Sequence, residues 1–126
     1  MANPNIVGVT SIYGNTSYLV PTGTTATTWT ALTPASLTVN KIDNIVASNV
    51  TSSAATITVS INSATGGGGT AYRIAYQISV PPNASLIIVD KTTAFYLGDA
   101  QSIVVTSGTT NAIELTASYE AITGPA

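Results

Sequence analysis

The sequence contains no cysteine and no histidine, and only eight of its 126 side chains are charged, three cationic and five acidic. The absence of cysteine excludes a disulfide framework and a thiolate metal site. The absence of histidine removes the commonest general base and the commonest metal ligand. Together these absences predict that the chain is not an enzyme and holds no metal and no cofactor.

The shortage of positive charge limits the possible partners. Lys41, Arg73 and Lys91 are the only cations, too few to neutralise a phosphate backbone, so we expect no nucleic-acid partner. No apolar run approaches the roughly 20 residues of a membrane-spanning helix. Residues 1–4 lack the basic region and apolar stretch of a secretory signal. We therefore expect no membrane partner, and synthesis and folding in a cytoplasm.

Threonine and serine replace the missing charge on the polar surface, since the chain contains 22 Thr and 13 Ser. Threonine is β-branched and suits a half-exposed pleated surface. Because charge normally keeps free monomers apart, a surface so poor in charge favours contact with other subunits or a lattice. Composition leaves one alternative open, an ordinary secreted β-domain with a weakly charged surface.

The positions of the five carboxylates do not indicate a catalytic or metal-binding site. Glu114 and Glu120 fall on one face of a predicted strand, where we expect them to be solvated. Asp99 lies in a predicted turn. Asp43 together with Asp90 or Asp99 could supply oxygen ligands for calcium, but no spacing typical of a calcium-binding loop supports such a site.

Hydrophobic residues recur at every second position through much of the chain, and no stretch has helical periodicity. The clearest strand covers residues 71–80, and its apolar face is expected to be buried, with the tyrosines in the core. Residues 56–62 and 113–120 repeat the pattern. The predicted inward-facing side chains of the three strands are Tyr72, Ile74, Tyr76, Ile78 and Val80; Ile57, Val59 and Ile61; and Ile113, Leu115, Ala117 and Tyr119.

Weaker strand signals bring the total to about eight and define the fold class. They cover residues 6–13, 26–32, 39–48, 86–90 and 102–106, with turn residues between them. This regular spacing predicts an all-β protein, a single antiparallel β-sandwich over residues 1–126 with an immunoglobulin-like or a jelly-roll strand order. We expect residues 1–13 to form an extended arm that contacts a neighbouring subunit.

The N-terminal quarter carries the candidate contact residues. Tyr13, Tyr18 and Trp29 could form a sugar-binding platform, although packing beneath a loop is the commoner role for such aromatic side chains. The residues that we predict to contact a partner are Ile6, Val7, Tyr13, Tyr18 and Trp29.

Four longer segments of the sequence are distinctive in their residues and in their order along the chain. Residues 40–49 read NKIDNIVASN, residues 80–91 read VPPNASLIIVDK, residues 95–103 read FYLGDAQSI, and residues 117–122 read ASYEAI. Together with residues 10–20, they resemble a family of small virion structural proteins of tailed phages, particularly those of marine cyanobacteria. The resemblance covers nearly the whole chain. One departure is that Leu97 leads directly into Gly98, where the family often has an acidic turn.

The resemblance implies a virion component that is made in the cytoplasm of a host bacterium. Our first expectation is a capsid decoration or cement protein that stabilises the head lattice by binding the major capsid protein or another virion protein. The alternatives are a tail, neck or fibre adaptor and a carbohydrate-binding adhesion domain. We also expect a homo-oligomer, and the threefold sites of capsids favour a trimer.

Overall fold

The computed structural model describes residues 2–126, which form nine β-strands and two short 3₁₀ turns, Ile6–Gly8 and Thr30–Leu32. Residue 1 of the predicted arm lies outside the described residues. The strands are β1 (Ser11–Leu19), β2 (Thr27–Thr28), β3 (Thr38–Asn49), β4 (Ala55–Asn62), β5 (Ala71–Val80), β6 (Ser85–Val89), β7 (Phe95–Leu97), β8 (Ser102–Ser107) and β9 (Ile113–Thr123).

The strands form two antiparallel sheets that enclose one apolar core. The first sheet has the order β1-β9-β3-β6, and the short strand β7 pairs with β3 next to β6. The second sheet has the order β2-β8-β4-β5. The predicted all-β sandwich is therefore confirmed, with nine strands in residues 2–126 in place of about eight.

The strand order decides between the two topologies that the sequence leaves open. Strands pair in a nested series, β1 with β9, β2 with β8, β3 with β6 and β4 with β5. The first four strands also alternate between the two sheets. In an immunoglobulin sandwich the first two strands share a sheet. A nested antiparallel series wound across both sheets is the order of a jelly roll, with β7 as an additional strand.

Alternate side chains of β3, β4, β8 and β9 fill the core. The predicted inward faces of β4 and β9 are confirmed, because their apolar residues are buried or pack against the core. The turn Thr30–Leu32 adds Leu32 from the end of the sandwich. The largest fully buried side chains include Trp29, Leu32, Ile42, Ile45, Ile57, Leu97, Ile103, Ile113 and Leu115.

The N-terminal third differs most from the predicted strands. Residues 6–13 were expected to form a strand, but a 3₁₀ turn occupies Ile6–Gly8 and β1 runs from Ser11 to Leu19. Gly14 and Asn15 have the composition of a turn, yet both lie inside β1, where they pair with Glu120 and Tyr119 of β9. Pairing with a long neighbouring strand overrides local propensity here.

Residues 2–10 lie against one end of the first sheet. Leu37 donates its backbone N–H to the carbonyl of Ala2, and Thr10 donates to the carbonyl of Thr123. The side-chain Oδ1 of Asn3 accepts the backbone N–H of Asp99, 2.9 Å away. The described part of the predicted arm is thus bound to its own domain, and the expected contact with a neighbour stays a prediction.

Helices contribute almost nothing to this fold. Within residues 2–126, no helix is long and apolar enough to cross a membrane.

Candidate functional site

Four of the five predicted contact residues are exposed, and they lie in two places. Ile6 and Val7 form the 3₁₀ turn at the end of the first sheet, and Val7 is 94% exposed. Tyr13 and Tyr18 lie on β1, the edge strand of that sheet, and Tyr18 is 79% exposed. Because they are five positions apart on a strand, these two tyrosines point to opposite faces of the sheet.

Trp29 is the exception among the predicted contact residues. Its side chain is only 1% exposed and belongs to the core. The prediction of Trp29 as a partner contact is therefore wrong, and the commoner arrangement, packing inside the fold, is correct. A platform of Tyr13, Tyr18 and Trp29 does not form either, because one of the three is buried and the other two lie on opposite faces of β1.

The apolar face of β5 is the second correction. Tyr72, Ile74, Tyr76 and Ile78 were expected in the core, but all four are exposed and only Val80 of the predicted face is buried. The strand forms an edge of the second sheet. Its register against β4 also shifts twice, so the simple alternation of faces does not continue along it.

Exposed apolar side chains therefore collect on the strands at the sheet edges. Sequence patterning identifies such residues as apolar, but it cannot tell an edge strand from a central one. The large side chains that share this exposed position are Ile12, Tyr13 and Tyr18 on β1, Tyr72, Ile74, Tyr76 and Ile78 on β5, Ile87 on β6 and Tyr96 on β7. The side chains on β1 lie at the opposite edge of the first sheet from those on β6 and β7, so the nine do not form one patch. Exposed apolar groups are typical of an interaction surface only where they are contiguous.

A pocket opens on the outer face of the first sheet, where the loop between β6 and β7 passes β3. The two short strands pair with different parts of β3, so residues 90–94 leave the sheet next to Asp43 and Asn44. At this point β3 shifts its register against β9, and Asn44 Oδ1 accepts the backbone N–H of Ser118 at 3.1 Å. The resulting pocket has a volume of about 510 Å³.

Five of the eight charged side chains in the whole sequence line this pocket. They are Lys41, Asp43, Asp90, Lys91 and Glu120. Lys41 Nζ lies 3.9 Å from Asp43 Oδ1, and Lys41 is directly opposite Glu120 in the pairing of β3 with β9. We call these five residues the charged pocket. Both signs of charge are present, and the apolar side chains of Val46, Ile87, Val89 and Ala94 also line the pocket.

Asp90 shapes the rim of the charged pocket. Its Oδ1 accepts the hydroxyl of Thr92 at 2.7 Å and the backbone N–H of Thr92 at 3.0 Å, and Thr93 donates to the same oxygen. These hydrogen bonds, those from Thr92 foremost, lower the pKa of Asp90 below its ordinary value of 3.8. The carboxylate is thus used to hold the turn of residues 90–93.

The described residues do not assemble a metal site. Asp43 and Asp90 both line the charged pocket, but within residues 2–126 no group of three acidic side chains is placed to hold an ion. Asp99 lies elsewhere, in the turn between β7 and β8, where it is 3% exposed. Its Oδ2 has no hydrogen-bond partner among the residues described, 2–126.

No protein-family model matches the sequence, and no curated protein matches it significantly. The resemblance to virion proteins of tailed phages consequently stays a prediction that rests on the motifs themselves.

Proposed function

We propose that this protein is a non-catalytic structural subunit of a tailed-phage virion that decorates the outside of the capsid and stabilises the head lattice. The observation that carries the proposal is the exposure of the apolar side chains of Ile6 and Val7 on the turn Ile6–Gly8, in a chain with only 6% charged residues. Such a surface suits repeated contacts with other subunits, where many weak contacts add up.

Two further features support a virion role. Four sequence segments follow the order found in the phage family that they resemble; they are residues 40–49, 80–91, 95–103 and 117–122. The jelly roll is also common among viral capsid proteins, although it occurs in lectins as well, so the fold alone does not set the function. The alternative of a carbohydrate-binding domain loses the particular platform of Tyr13, Tyr18 and Trp29, because Trp29 is buried.

We place the contact with the major capsid protein, or another head protein, at Ile6 and Val7. The turn that presents them is held by the hydrogen bond from Gly8 N–H to the carbonyl of Asn5 and by the bond from Val7 N–H to Asn5 Oδ1. A rigid, exposed apolar pair loses little conformational entropy when a partner covers it.

Quantitative mass spectrometry of purified virions and of tail-less heads tests the role. Retention of a large, lattice-related number of copies on the heads is the expected result. A few copies that are lost with the tail would establish a tail, neck or fibre adaptor instead. Absence of the protein from purified particles would overturn the virion proposal altogether.

Re-binding to heads that lack the protein tests the surface. The double variant Ile6→Ser, Val7→Ser is expected to bind at least about tenfold more weakly, since two exposed apolar groups lose their contact. The matched control is Tyr72→Ser, Tyr76→Ser on β5, which should bind like the wild type. The reverse result would keep the virion role and move the contact surface to β5.

The trimer expected from capsid symmetry stays a prediction. The edge strand β1 of the first sheet favours a two-fold pair of subunits instead, and sedimentation measurements distinguish the two assemblies.

A further inference from the structure

The strand β1 is an unprotected sheet edge. It is nine residues long, Ser11–Leu19, and its register against β9 runs without a shift from Ser11 opposite Thr123 to Leu19 opposite Leu115. It contains no proline and no charged residue. Within residues 2–126, no backbone hydrogen bond joins β1 to an element other than β9. Its other side therefore presents a row of backbone groups that no other strand pairs, although the carbonyl of Tyr13 accepts a hydrogen bond from Nδ2 of Asn15, 3.4 Å away.

The remaining sheet edges carry the features that normally prevent edge-to-edge pairing. β5 shifts register twice, contains Arg73, and has Gln77 in a left-handed conformation with φ of 48°. β2 has two residues, β7 has three, and β6 has five and a register shift against β3. A long, neutral edge without a register shift, such as β1, is either a liability for aggregation or a surface for pairing.

We propose that β1 pairs antiparallel with β1 of a second copy of this chain, around a two-fold axis at Asn15. Asn15 is the central residue of Ser11–Leu19, so this register pairs all nine residues of both strands. It places Ile12 opposite Tyr18 of the second copy, Tyr13 opposite Ser17, and Gly14 opposite Thr16. The first sheets of the two copies then join into one continuous sheet.

The outer face of β1 is complementary to itself in this register. Ile12 and Tyr18 are both exposed, and an isoleucine opposite a tyrosine is a favourable cross-strand pair. Within one copy, Ile12 is adjacent to Ile122, and Tyr18 is adjacent to Thr116. Pairing therefore makes Ile122 and Ile12 of one copy continuous with Tyr18 of the other. The two-fold arrangement forms this contact twice.

The size and charge of the interface set its strength. Stable interfaces of standard size use about 20–30 residues a side, whereas β1 supplies nine. Because β1 is uncharged, no like charges face each other across the paired strands. We therefore expect a concentration-dependent dimer, with a dissociation constant of about micromolar or weaker. This inference concerns the isolated protein and does not depend on the proposed virion role.

Sedimentation equilibrium of the purified protein, from about micromolar to about millimolar concentration, tests the pairing. A monomer–dimer equilibrium is expected, and Tyr18→Lys should weaken it about tenfold or more, since two lysines enter the interface. The matched control is Tyr76→Lys on β5, an exposed tyrosine on a protected edge, which should dimerise like the wild type. A monomer throughout this range, or a trimer, would overturn the proposal.

A cysteine cross-link tests the register. The natural chain has no cysteine, so Asn15→Cys introduces one thiol, which should face its own copy across the two-fold axis and form a disulfide-linked dimer on mild oxidation. Ser79→Cys, on the exposed part of β5, is the control. Equal cross-linking of both variants would overturn the β1 register. If the β1 amides become protected from hydrogen exchange only after another virion protein is added, β1 pairs with a strand of that protein and not with a second copy of this chain.

Discussion

The indole Nε1–H of Trp29 donates a hydrogen bond to Oγ of Ser17, with 3.1 Å between the two atoms. Trp29 follows β2 of the second sheet, and Ser17 lies on β1 of the first, so this bond joins the two sheets at one side of the sandwich. The backbone N–H of Trp29 also donates to the carbonyl of Ile103 on β8. A buried tryptophan usually finds such a partner because its ring is apolar while its N–H is polar.

Ser17→Ala is expected to destabilise the protein by about 1–3 kcal/mol, because it leaves the buried indole N–H without an acceptor. The measurement is urea unfolding followed by the fluorescence of Trp29, the single tryptophan. Thr16→Ala is the control, since Thr16 is exposed and points to the other face of β1; its cost should stay within about 0.5 kcal/mol. Equal costs for the two variants would contradict a structural role of the bond.

The exposed face of β5 predicts a difference in stability between variants of two isoleucines that lie on adjacent strands of the second sheet. Ile57→Ala on β4 removes a fully buried side chain and should cost about 2–5 kcal/mol. Ile74→Ala on β5 removes a side chain that is 36% exposed and should cost clearly less, about 1 kcal/mol or below. Thermal unfolding of both variants measures the difference. A larger loss of stability for Ile74→Ala than for Ile57→Ala would indicate that the apolar face of β5 is buried in the core.

Asn62 is expected to order the glycine-rich tip between β4 and β5. Its Nδ2 donates to the carbonyls of Gly67 and Gly69, and its Oδ1 accepts the backbone N–H groups of Ala64 and Gly69. Asn62→Ala should therefore destabilise the protein by about 1–3 kcal/mol and raise amide exchange through residues 63–69. Thr70→Ala, at an exposed position, is the control. Unchanged exchange in Asn62→Ala would show that the tip is ordered without this side chain.

The turn of residues 90–93 should respond to acid. Because the folded-state pKa of Asp90 is below 3.8, its carboxylate stabilises the fold above about pH 3.8, and that contribution is lost as the pH falls through the lowered folded-state pKa. Thr92→Ala should raise the pKa of Asp90 toward 3.8, since it removes the hydroxyl donor. A carboxyl NMR titration measures both values, with Thr70→Ala as control. Identical titration of Asp90 in Thr92→Ala and the wild type would contradict this assignment.

Local patterning predicted the strands that lie in the middle of the sheets. The alternation in β4 and β9 predicted which residues face the core, because both strands have neighbours on each side and a sheet packed over one face. The same alternation in β5 predicted the wrong environment for Tyr72 and Ile74. That strand is equally apolar, but its place at an edge and its two register shifts depend on strands distant in sequence.

The candidate surfaces were predicted only in part. Exposure of Ile6, Val7, Tyr13 and Tyr18 agrees with a role in contacts, which is still to be tested, whereas Trp29 is buried. The charged pocket had no sequence signal, because it forms only where a register shift in β3 meets the loop of residues 90–94. Charges that are scattered along the chain become neighbours through strand pairing and through the path of this loop.

The sequence by itself determined the fold class and the absence of thiol and imidazole side chains. Period-two alternation is a local property, and the absence of cysteine and histidine needs no structure to be seen. Only the tertiary structure decided that the sandwich is a jelly roll and that β1 is its open edge. The physical reason is that the backbone hydrogen-bonding groups are the same in every strand, so they do not specify which strands pair. The pairing is set by packing two sheets around one core, and it joins strands as distant in sequence as β1 and β9.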